Sequence, residues 1–361
     1  MKIAIVVNNI CKSAGTERAV VNLANILTSK DYGGNRLRVT IISLYSDDVK
    51  LFYELNSSVK VYSLGLEDIK SKFISPIHYY KVIRTLRLRF REIKPNIIIG
   101  TTHAINFLLP FVASGLRCKT IGCEHLAYNA GSKLVNWVKS VLYSRLSSVV
   151  VLTHKDALSY VRFCNVNVIP NSLSFWPNQN ANLDSKQLLS VGRFSLQKGF
   201  DRLVQAASLF LPINPSWTLK IIGDGEEKNK VIDLVKAYNL QKQIVILPST
   251  RNIIQEYLES SIYLMTSRYE GLPMVLLEAK ACGLPVVSFD CPEGPSEIIK
   301  DQEDGLLVEN GNIAEFAFQV SRLINNRDLQ EKFALNSKAN SQEYSQHAIF
   351  IKWRCLFDKI M

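Results

Sequence analysis

No stretch of the 361 residues approaches the roughly 18 to 20 uninterrupted apolar residues that cross a bilayer. The most apolar N-terminal run, residues 3–7, is followed at once by Asn8 and Asn9, so neither a transmembrane helix nor a signal peptide is predicted. The seven cysteines include no C-x-x-C pair, and an odd number cannot all pair within the chain. We therefore expect reduced thiols in a cytoplasmic protein.

Acidic residues are scarce in the first half of the chain. Residues 1–180 hold 23 Lys and Arg against 10 Asp and Glu, whereas residues 181–361 hold 20 against 22. The basic residues gather in two amphipathic stretches, 81–94 and 133–145, in a pattern typical of helices at a membrane interface. This pattern predicts an anionic partner such as lipid headgroups or a lipid-linked phosphate, and ordinary surface helices are the alternative.

A nucleic acid is a second anionic partner that a basic half could bind. The sequence shows no aromatic-rich RNA motif, zinc-site spacing or helix-turn-helix pattern, and its cations cluster with apolar residues. We therefore expect no nucleic-acid partner, although a basic nucleic-acid-binding protein stays the alternative from a different functional class.

Short β-branched runs alternate with longer helical patterns along the whole chain, which predicts α/β domains with parallel sheets. A polar segment with Pro177 and several Asn separates two series of strands and predicts an interdomain linker. The predicted domains are residues 1–172 and 173–340, and the apolar spacing of 341–361 predicts a C-terminal helix, with a return to the first domain as one option. The predicted strands are residues 3–7, 39–44, 96–99, 120–123, 148–152, 188–191, 218–222, 244–247, 262–265 and 286–289.

The first loop of the second series has residue types that suit a diphosphate. Gly192 lets the backbone approach a ligand, while Arg193 and Lys198 supply positive charge before the next helical pattern. Gly223 opens the loop after the next strand and would face the same ligand. A polar loop with two solvated cations is the alternative. Ligands of open α/β sheets bind beyond the carboxyl ends of the strands, so two such domains predict a site in a cleft between them.

The segment 268–287 is the most informative part of the sequence. A helix is predicted to begin near Leu272, with Pro273 in its first turn, and to end at Gly283. Glu270 then lies on the loop before this helix, and Glu278 lies about two turns inside it. A carboxylate inside an otherwise apolar helix is costly unless it accepts hydrogen bonds, for instance from sugar hydroxyls. An exposed helix face or an ion pair near Lys280 is the alternative for Glu278.

Several motifs of the second half, taken together, resemble one family. Glu270 and Glu278 are separated by seven residues, with E-G-L-P at the front, and this resembles the E-x7-E signature of the retaining family 4 glycosyltransferases. V-G-R-F…Q-K-G-x-D at 191–201, I-x-G-D-G-E at 221–226 and C-P-E-G-P-S-E-I-I at 291–299 are similar to that family in its order. The resemblance implies a GT-B fold, in which two Rossmann-like domains face each other across a cleft.

The resemblance also implies roles for individual residues. Arg193 and Lys198 would hold the donor diphosphate and offset the charge that develops on the leaving nucleotide. Glu278 would bind the nucleotide ribose, and Glu270 would act beside the transferred sugar. Gly294, in the loop 292–297, would lie near that sugar as well.

Two motifs of the first half are similar to the same family. Residues 13–18, S-A-G-T-E-R, resemble a loop with two glycines that faces the donor phosphates, and Gly15 is retained while Ala14 departs from the pattern. Glu124-His125 follows the strand 120–123 and resembles an E-H pair whose His lies beside the reacting centre. We therefore predict that His125 and Glu270 are catalytic. A structural histidine is the alternative for His125, and His103 is a second candidate.

The resulting prediction is a retaining hexosyltransferase of surface polysaccharide synthesis, O-antigen or capsule. It would move a hexose or N-acetylhexosamine from a nucleotide sugar, with UDP as the usual carrier, to a lipid-linked polyprenyl diphosphate glycan. The resemblance implies no cofactor and no metal, because the departing phosphate itself helps to take the acceptor proton. The expected location is cytoplasmic, peripheral on the inner face of the cell membrane, and a sugar-nucleotide epimerase of the same architecture is the alternative.

Overall fold

The computed structural model describes residues 1–12, 15–45, 51–66, 76–125, 128 and 132–361. These residues form two compact units. Unit 1 comprises Met1–Ser172 and Gln346–Met361, and unit 2 comprises Leu173–Ser345. Each unit contains one parallel sheet with helices on it, as the alternation of strand and helix patterns predicts.

Unit 1 is built on a seven-stranded parallel sheet in the order β5-β4-β1-β6-β7-β8-β9. Its central strands are almost wholly buried, because helices cover both faces of the sheet. The edge strands β5 and β9 are half-buried and short, and the apolar pattern did not predict them. The strands of this unit, with a separate antiparallel pair formed by β2 and β3, are β1 (Lys2–Val7), β2 (Asp31–Tyr32), β3 (Asn35–Arg36), β4 (Arg38–Ser43), β5 (Lys60–Ser63), β6 (Ile97–Gly100), β7 (Lys119–Cys123), β8 (Ser148–Val151) and β9 (Val166–Val168).

The helices of unit 1 bury apolar stripes against this sheet. Val82, Leu86 and Phe90, at helical spacing, are all buried in one core cluster. The helices before residue 173 are α1 (Gly15–Ser29), α2 (Pro76–Ile93), α3 (His103–Ala113), α4 (Lys133–Tyr143) and α5 (His154–Tyr160). The two basic stretches predicted as helices are therefore α2 and α4.

Unit 2 contains a six-stranded parallel sheet in the order β12-β11-β10-β13-β14-β15. The chain runs outward from β10 to one edge and then returns to β13 on its other side. The carboxyl ends of β10 and β13 thus meet at a topological switch point, where open α/β sheets bind ligands. The strands are β10 (Gln187–Val191), β11 (Thr218–Ile222), β12 (Ile244–Leu247), β13 (Ile262–Met265), β14 (Val286–Asp290) and the unpredicted edge strand β15 (Leu306–Glu309).

The helix that follows β13 starts slightly later than predicted. Pro273 occupies the N-cap position, the helix runs over Met274–Ala281, and Gly283 has φ 76° just after it. The left-handed conformation at Gly283 is the usual way to end a helix. The helices of unit 2 are α6 (Phe200–Phe210), α7 (Lys228–Ala237), α8 (Ile253–Leu258), α9 (Met274–Ala281), α10 (Pro295–Ile298), α11 (Ile313–Ile324) and α12 (Arg327–Asn340).

The last helix, α13 (Gln346–Ile360), belongs to unit 1. Its residues Ile349, Trp353 and Leu356 are buried in the same apolar cluster as the side chains of β1 and α1. This periodic burial explains the apolar spacing of the C-terminal segment. None of the helices in the described parts of the chain is long and apolar enough to cross a membrane.

Candidate active site

The predicted donor-binding residues of unit 2 lie on loops at the carboxyl ends of neighbouring strands. Arg193 and Lys198 follow β10, and Glu270 follows β13, so the two loops flank the switch point. Gly223 follows β11 and Gly294 follows β14. These residues are up to about a hundred positions apart in sequence. The sheet topology brings them together at the carboxyl ends of the strands of one sheet.

Lys198 and Glu270 contact each other directly. The Lys198 Nζ lies 2.6 Å from the Glu270 Oε1, and their side chains are 19% and 7% exposed. The hydroxyl of Ser267 donates to the same carboxylate oxygen at 2.7 Å. A largely buried cation thus lies beside a buried carboxylate. The low local dielectric makes the electrostatic interaction of each charge stronger than at the surface.

Arg268 fixes the turn that carries Lys198. Its guanidinium contacts both carboxylate oxygens of Asp201, at 2.8 and 2.6 Å, and donates to the carbonyl of Leu196 at 2.8 Å. Its backbone N–H donates to the carbonyl of Gln197 at 2.7 Å. Paired hydrogen bonds from a planar guanidinium restrain geometry strongly. They also lower the pKa of Asp201. The Lys198 turn is therefore held to the loop that carries Glu270.

Arg193 is placed differently from Lys198. Its side chain is 72% exposed and lies 3.1 Å from Glu226, which is 57% exposed. Solvent screens the charges of an exposed pair of this kind, so little holds Arg193 in place. The guanidinium can move to a phosphate at small cost.

Gly223 is required by the close packing of two loops. A Cβ atom there would lie 1.8 Å from the carbonyl oxygen of Gly192. The two loops also share hydrogen bonds, from the N–H of Gly192 to Ile222 and from the N–H of Phe194 to Asp224. The backbone of both loops is thereby fixed at the end of β10, with no room for a side chain at Gly223.

Gly294 joins the loop after β14 to the loop after β13. Its φ is 104°, and a Cβ atom would lie 2.5 Å from the carbonyl oxygen of Gly271. Only glycine tolerates both conditions. The backbone at Gly294 is therefore packed against the residue that follows Glu270.

Glu278 is buried in the middle of α9. Its residue is 1% exposed, and its Oε2 accepts a hydrogen bond of 3.1 Å from the hydroxyl of Tyr257 on α8. The alternative of an exposed helix face is wrong. So is the alternative of an ion pair near Lys280, because the Lys280 Nζ contacts Asp304 at 2.7 Å instead. Burial makes the carboxylate dependent on the groups that donate hydrogen bonds to it.

The acidic loop after β11 is tied to its own unit. Asp224 accepts hydrogen bonds from the backbone and hydroxyl of Ser249, at 2.9 and 2.6 Å, and from Lys228 at 3.1 Å. These contacts, the Ser249 hydroxyl first, lower the pKa of Asp224 to about 2. Glu226 pairs with Arg193. Among the described residues, no group of three or more His, Cys, Asp or Glu side chains has the arrangement of a metal site.

The glycine loop of unit 1 is only partly described. Ser13 and Ala14 lie outside the described residues. Gly15 is the exposed first residue of α1, and a Cβ atom there would meet no described atom within 4 Å. Glu17, in the first turn of α1, is buried, and burial raises its pKa.

His125 lies directly after β7 in unit 1. It lines a cavity of about 30 Å³ whose wall is mostly apolar and includes the polar side chains of Thr101, Asn171 and Ser172. The buried Nδ1 has no hydrogen-bond partner among the described residues. Burial lowers the pKa of His125 to about 4, against the opposite effect of the Glu124 carboxylate. The imidazole is therefore neutral at physiological pH. His103 begins α3 and packs its ring near Phe107.

Sequence reasoning missed the residues that support the predicted site. Ser267 contacts Glu270 from three positions away, a spacing that could have suggested the contact. Tyr257 gave no local signal, and Asp201, although it ends the motif at 191–201, gave no sign of its partner, because their contacts to Glu278 and Arg268 join different elements. The residues that hold the motif side chains in place are therefore determined by tertiary packing, which a local sequence pattern does not reveal.

Comparison with known proteins agrees with this architecture. The family model "Glycosyl transferases group 1" matches residues 175–340, which lie in unit 2. An uncharacterized glycosyltransferase of Haemophilus influenzae is 31% identical over 360 residues, covering 98% of this chain and 99% of that protein. The amylovoran biosynthesis glycosyltransferase AmsD of Erwinia amylovora is 30% identical over 365 residues, covering 98% of each.

Two further comparisons concern a more distant relative and a solved structure. The Campylobacter jejuni enzyme GalNAc-alpha-(1->4)-GalNAc-alpha-(1->3)-diNAcBac-PP-undecaprenol alpha-1,4-N-acetyl-D-galactosaminyltransferase is 25% identical over 369 residues, covering 100% of this chain and 99% of that protein. The crystal structure of the Staphylococcus aureus TarM G117R mutant, in complex with Fondaparinux, alpha-GlcNAc-glycerol and UDP, has a TM-score of 0.81 at 18% identity. The match covers 99% of this chain and 99% of the TarM chain.

Two Rossmann-like units, each with one parallel sheet, are the architecture of GT-B enzymes, so the predicted fold class is confirmed. The chain belongs to the group 1 glycosyltransferases, as the family model and the full-length relatives show. It is therefore a glycosyltransferase, and the epimerase alternative is wrong.

Proposed function

We propose that this enzyme is a retaining glycosyltransferase of family 4 and that unit 2 binds its nucleotide-sugar donor. The observation that carries this proposal is the Lys198–Glu270 pair at the switch point of unit 2. Lys198 and the mobile Arg193 hold the donor diphosphate and offset the negative charge that develops on it as the glycosidic bond breaks. Lys198, held by its contact with Glu270, is preorganised and needs no reorganisation to stabilise this charge, whereas Arg193 must first move to the phosphate.

Glu270 and Glu278 take different parts of the donor. The carboxylate of Glu270 lies beside Lys198 and acts next to the transferred sugar. Glu278, two turns farther along, accepts hydrogen bonds from the ribose hydroxyls. Gly223 and Gly294 fix their loops against the loops that carry Arg193 and Glu270, which holds the backbone of all four loops in place for the donor.

UDP is the proposed carrier, with a hexose or an N-acetylhexosamine as the sugar. TarM, which shares the fold, was crystallised with UDP. The acceptor proposed is a lipid-linked polyprenyl diphosphate glycan of O-antigen or capsule synthesis, bound by unit 1. The names of the AmsD and Campylobacter jejuni relatives support polysaccharide synthesis and an undecaprenol-linked acceptor respectively.

The outer face of α4 supports a peripheral location on the inner face of the cell membrane. Leu134, Trp137 and Val141, at helical spacing, are 69%, 63% and 41% exposed, and exposed Lys133 and Arg145 flank them. An apolar stripe between cations suits an anionic lipid surface. Lys139 does not belong to this face, because its side chain is 3% exposed and points into unit 1 toward Glu124.

His125 is the proposed catalytic residue of unit 1, acting as a neutral imidazole beside the reacting centre. The acceptor attacks the face that the nucleotide leaves, and the departing phosphate helps to take the acceptor proton. This mechanism needs no metal. Turnover should therefore survive EDTA, and loss of turnover that manganese restores would contradict this part of the proposal.

The test of the donor site is the melting temperature of the purified protein across a panel of nucleoside diphosphates and nucleotide sugars. A ligand that binds only the folded state raises apparent stability in proportion to its saturation. One nucleotide family should raise the melting temperature of the wild type and fail to raise that of Lys198→Ala and Glu278→Ala.

Lys220→Ala is the matched control for Lys198→Ala. Lys220 pairs with Glu256 at the same distance of 2.6 Å, and its side chain is 17% exposed against 19% for Lys198. The control should keep the full ligand-dependent rise. An equal rise in all variants would contradict the proposed donor site.

A further inference from the structure

A cluster of buried polar side chains surrounds Glu124, the residue before His125. The Lys139 Nζ lies 2.9 Å from the Glu124 Oε2, and the two side chains are 3% and 2% exposed. Asn106 donates to Oε1 at 2.9 Å, and the hydroxyl of Tyr143 donates to the same oxygen. Lys139 also donates to the hydroxyl of Tyr160 at 3.0 Å. We call these five residues the Glu124 cluster.

Stability alone does not account for the charges of this cluster. Removing two charges from water costs several kcal/mol per ion, and their attraction only about offsets that cost. Apolar side chains of similar size would fill the same space about as favourably. The cluster is better explained by what its geometry fixes.

The geometry fixes the end of β7 from three sides. The side-chain amide of Asn106 on α3 donates to the carbonyl of Cys123 at 3.0 Å, and the N–H of Glu124 donates to the carbonyl of Val150 on β8 at 2.9 Å. Lys139 on α4 holds the Glu124 side chain. The residue before His125 is thus restrained through both its backbone and its side chain.

Among the described residues, none holds His125 by comparable contacts. Its buried Nδ1 lacks a partner there, and its ring borders the small, mostly apolar cavity beside Thr101. Without a hydrogen bond to orient it, the buried ring depends on the position of its own backbone and on the packing around it. A group that must meet a substrate at one angle requires that this backbone be held in one place.

We propose that Lys139 is a positioning residue for His125, acting through the carboxylate of Glu124, an inference that rests on the catalytic role proposed for His125. Lys139 draws Glu124 into the core, and this contact sets the direction in which the chain leaves β7. Tyr143 assists by holding the second carboxylate oxygen. Neither residue touches the substrate.

The ring of His125 reports on this proposal directly in the NMR spectrum of the full chain. The protein has five histidines, so His125→Gln identifies the His125 signal as the one that disappears. In Lys139→Met and in Tyr143→Phe the His125 signal should move or broaden. Phe90→Leu, a change in the apolar core of the same unit outside the cluster, should leave that signal in place.

Kinetics supply the second readout. The kcat should fall about 10- to 100-fold in Lys139→Met, because small misplacements of a reacting group have effects of that size. The KM for the donor should stay within about twofold of the wild-type value, because the donor site proposed lies in unit 2. A general loss of folding would instead lower the amount of active enzyme and leave the His125 signal of the folded fraction unchanged.

Tyr143→Phe keeps the test decisive if Lys139→Met fails to fold, since it removes one hydroxyl and keeps the ring. A His125 signal that stays in place in every folded variant of the cluster would overturn the proposal. Full activity of His125→Gln would overturn the catalytic role proposed for His125. The His125 signal in Lys139→Met and Tyr143→Phe would then be the only test of whether the cluster positions the ring.

Discussion

Glu278→Gln offers the sharpest test of how the donor is bound. The carboxylate is 1% exposed and accepts a hydrogen bond of 3.1 Å from Tyr257. Glutamine has the same shape, and its amide oxygen can still accept from Tyr257, so the fold of α9 should be kept. What the substitution removes is the negative charge that strengthens hydrogen bonds from ribose hydroxyls.

The expected loss follows from the energy of such bonds. Hydrogen bonds to a charged group contribute about 1.5–3 kcal/mol. A neutral amide oxygen still accepts hydrogen bonds that contribute about 0.5–1.5 kcal/mol, so the charge itself accounts for a difference of about 1–1.5 kcal/mol. At about 1.4 kcal/mol per factor of ten, the Kd of the preferred nucleoside diphosphate should rise about 5- to 12-fold. Isothermal titration calorimetry on the wild type and on Glu278→Gln measures this ratio.

A second ligand turns the measurement into a double-mutant cycle. The 2′,3′-dideoxy analogue of the same nucleotide lacks the hydroxyls that Glu278 is proposed to bind. Its affinity should therefore be nearly equal for the wild type and for Glu278→Gln. Glu256→Gln, the same change at a carboxylate of unit 2 that pairs with Lys220, should alter neither Kd. If Glu278→Gln weakens both ligands equally, the ribose contact is refuted.

Three further predictions concern single side chains. Tyr257→Phe should lower the free energy of unfolding by about 1–2 kcal/mol, because it removes a hydrogen bond to the buried Glu278 carboxylate; urea unfolding measures this. His125, whose pKa falls from 6.5 to about 4 on folding, binds fewer protons in the folded protein, so stability should decline as pH falls from 6.5 to 4; His125→Gln should show a smaller decline. Trp137→Ser should weaken sedimentation with anionic vesicles, and equal sedimentation of both proteins, or no effect of salt, would contradict a role of α4 at the membrane.

The sequence predicted the sheets and the motif loops because their signals are local. Short β-branched runs and period-3.6 patterns of apolar residues are complete within one element, so the buried strands were found within about one residue of their observed bounds. Edge strands such as β5 and β15 were missed, since short strands at a sheet edge bury fewer residues. Pro273 and Gly283 likewise marked the ends of α9 locally.

Buried charges were not predictable in the same way. Lys139 on α4 and Lys280 on α9 both lie on helices whose composition suggests solvent-exposed cations, yet both side chains are almost fully buried. Each finds its carboxylate on another element, Glu124 after β7 and Asp304 before β15. A helical pattern predicts which face is apolar, but it does not identify a polar partner that tertiary packing brings to that face.

The same reasoning explains why Lys198 and Glu270, predicted as separate contacts to the donor, are found in contact with each other. Both were identified from their places at strand ends, and parallel strands bring such places together. In a site proposed to receive a diphosphate, a cation already paired with a carboxylate loses less on desolvation than an isolated cation would. On this proposal, the diphosphate would meet a lysine whose direction is fixed by Glu270 and whose turn is fixed by Arg268. The free energy needed to order the Lys198 side chain is then spent when unit 2 folds, and it does not reduce the affinity for the donor.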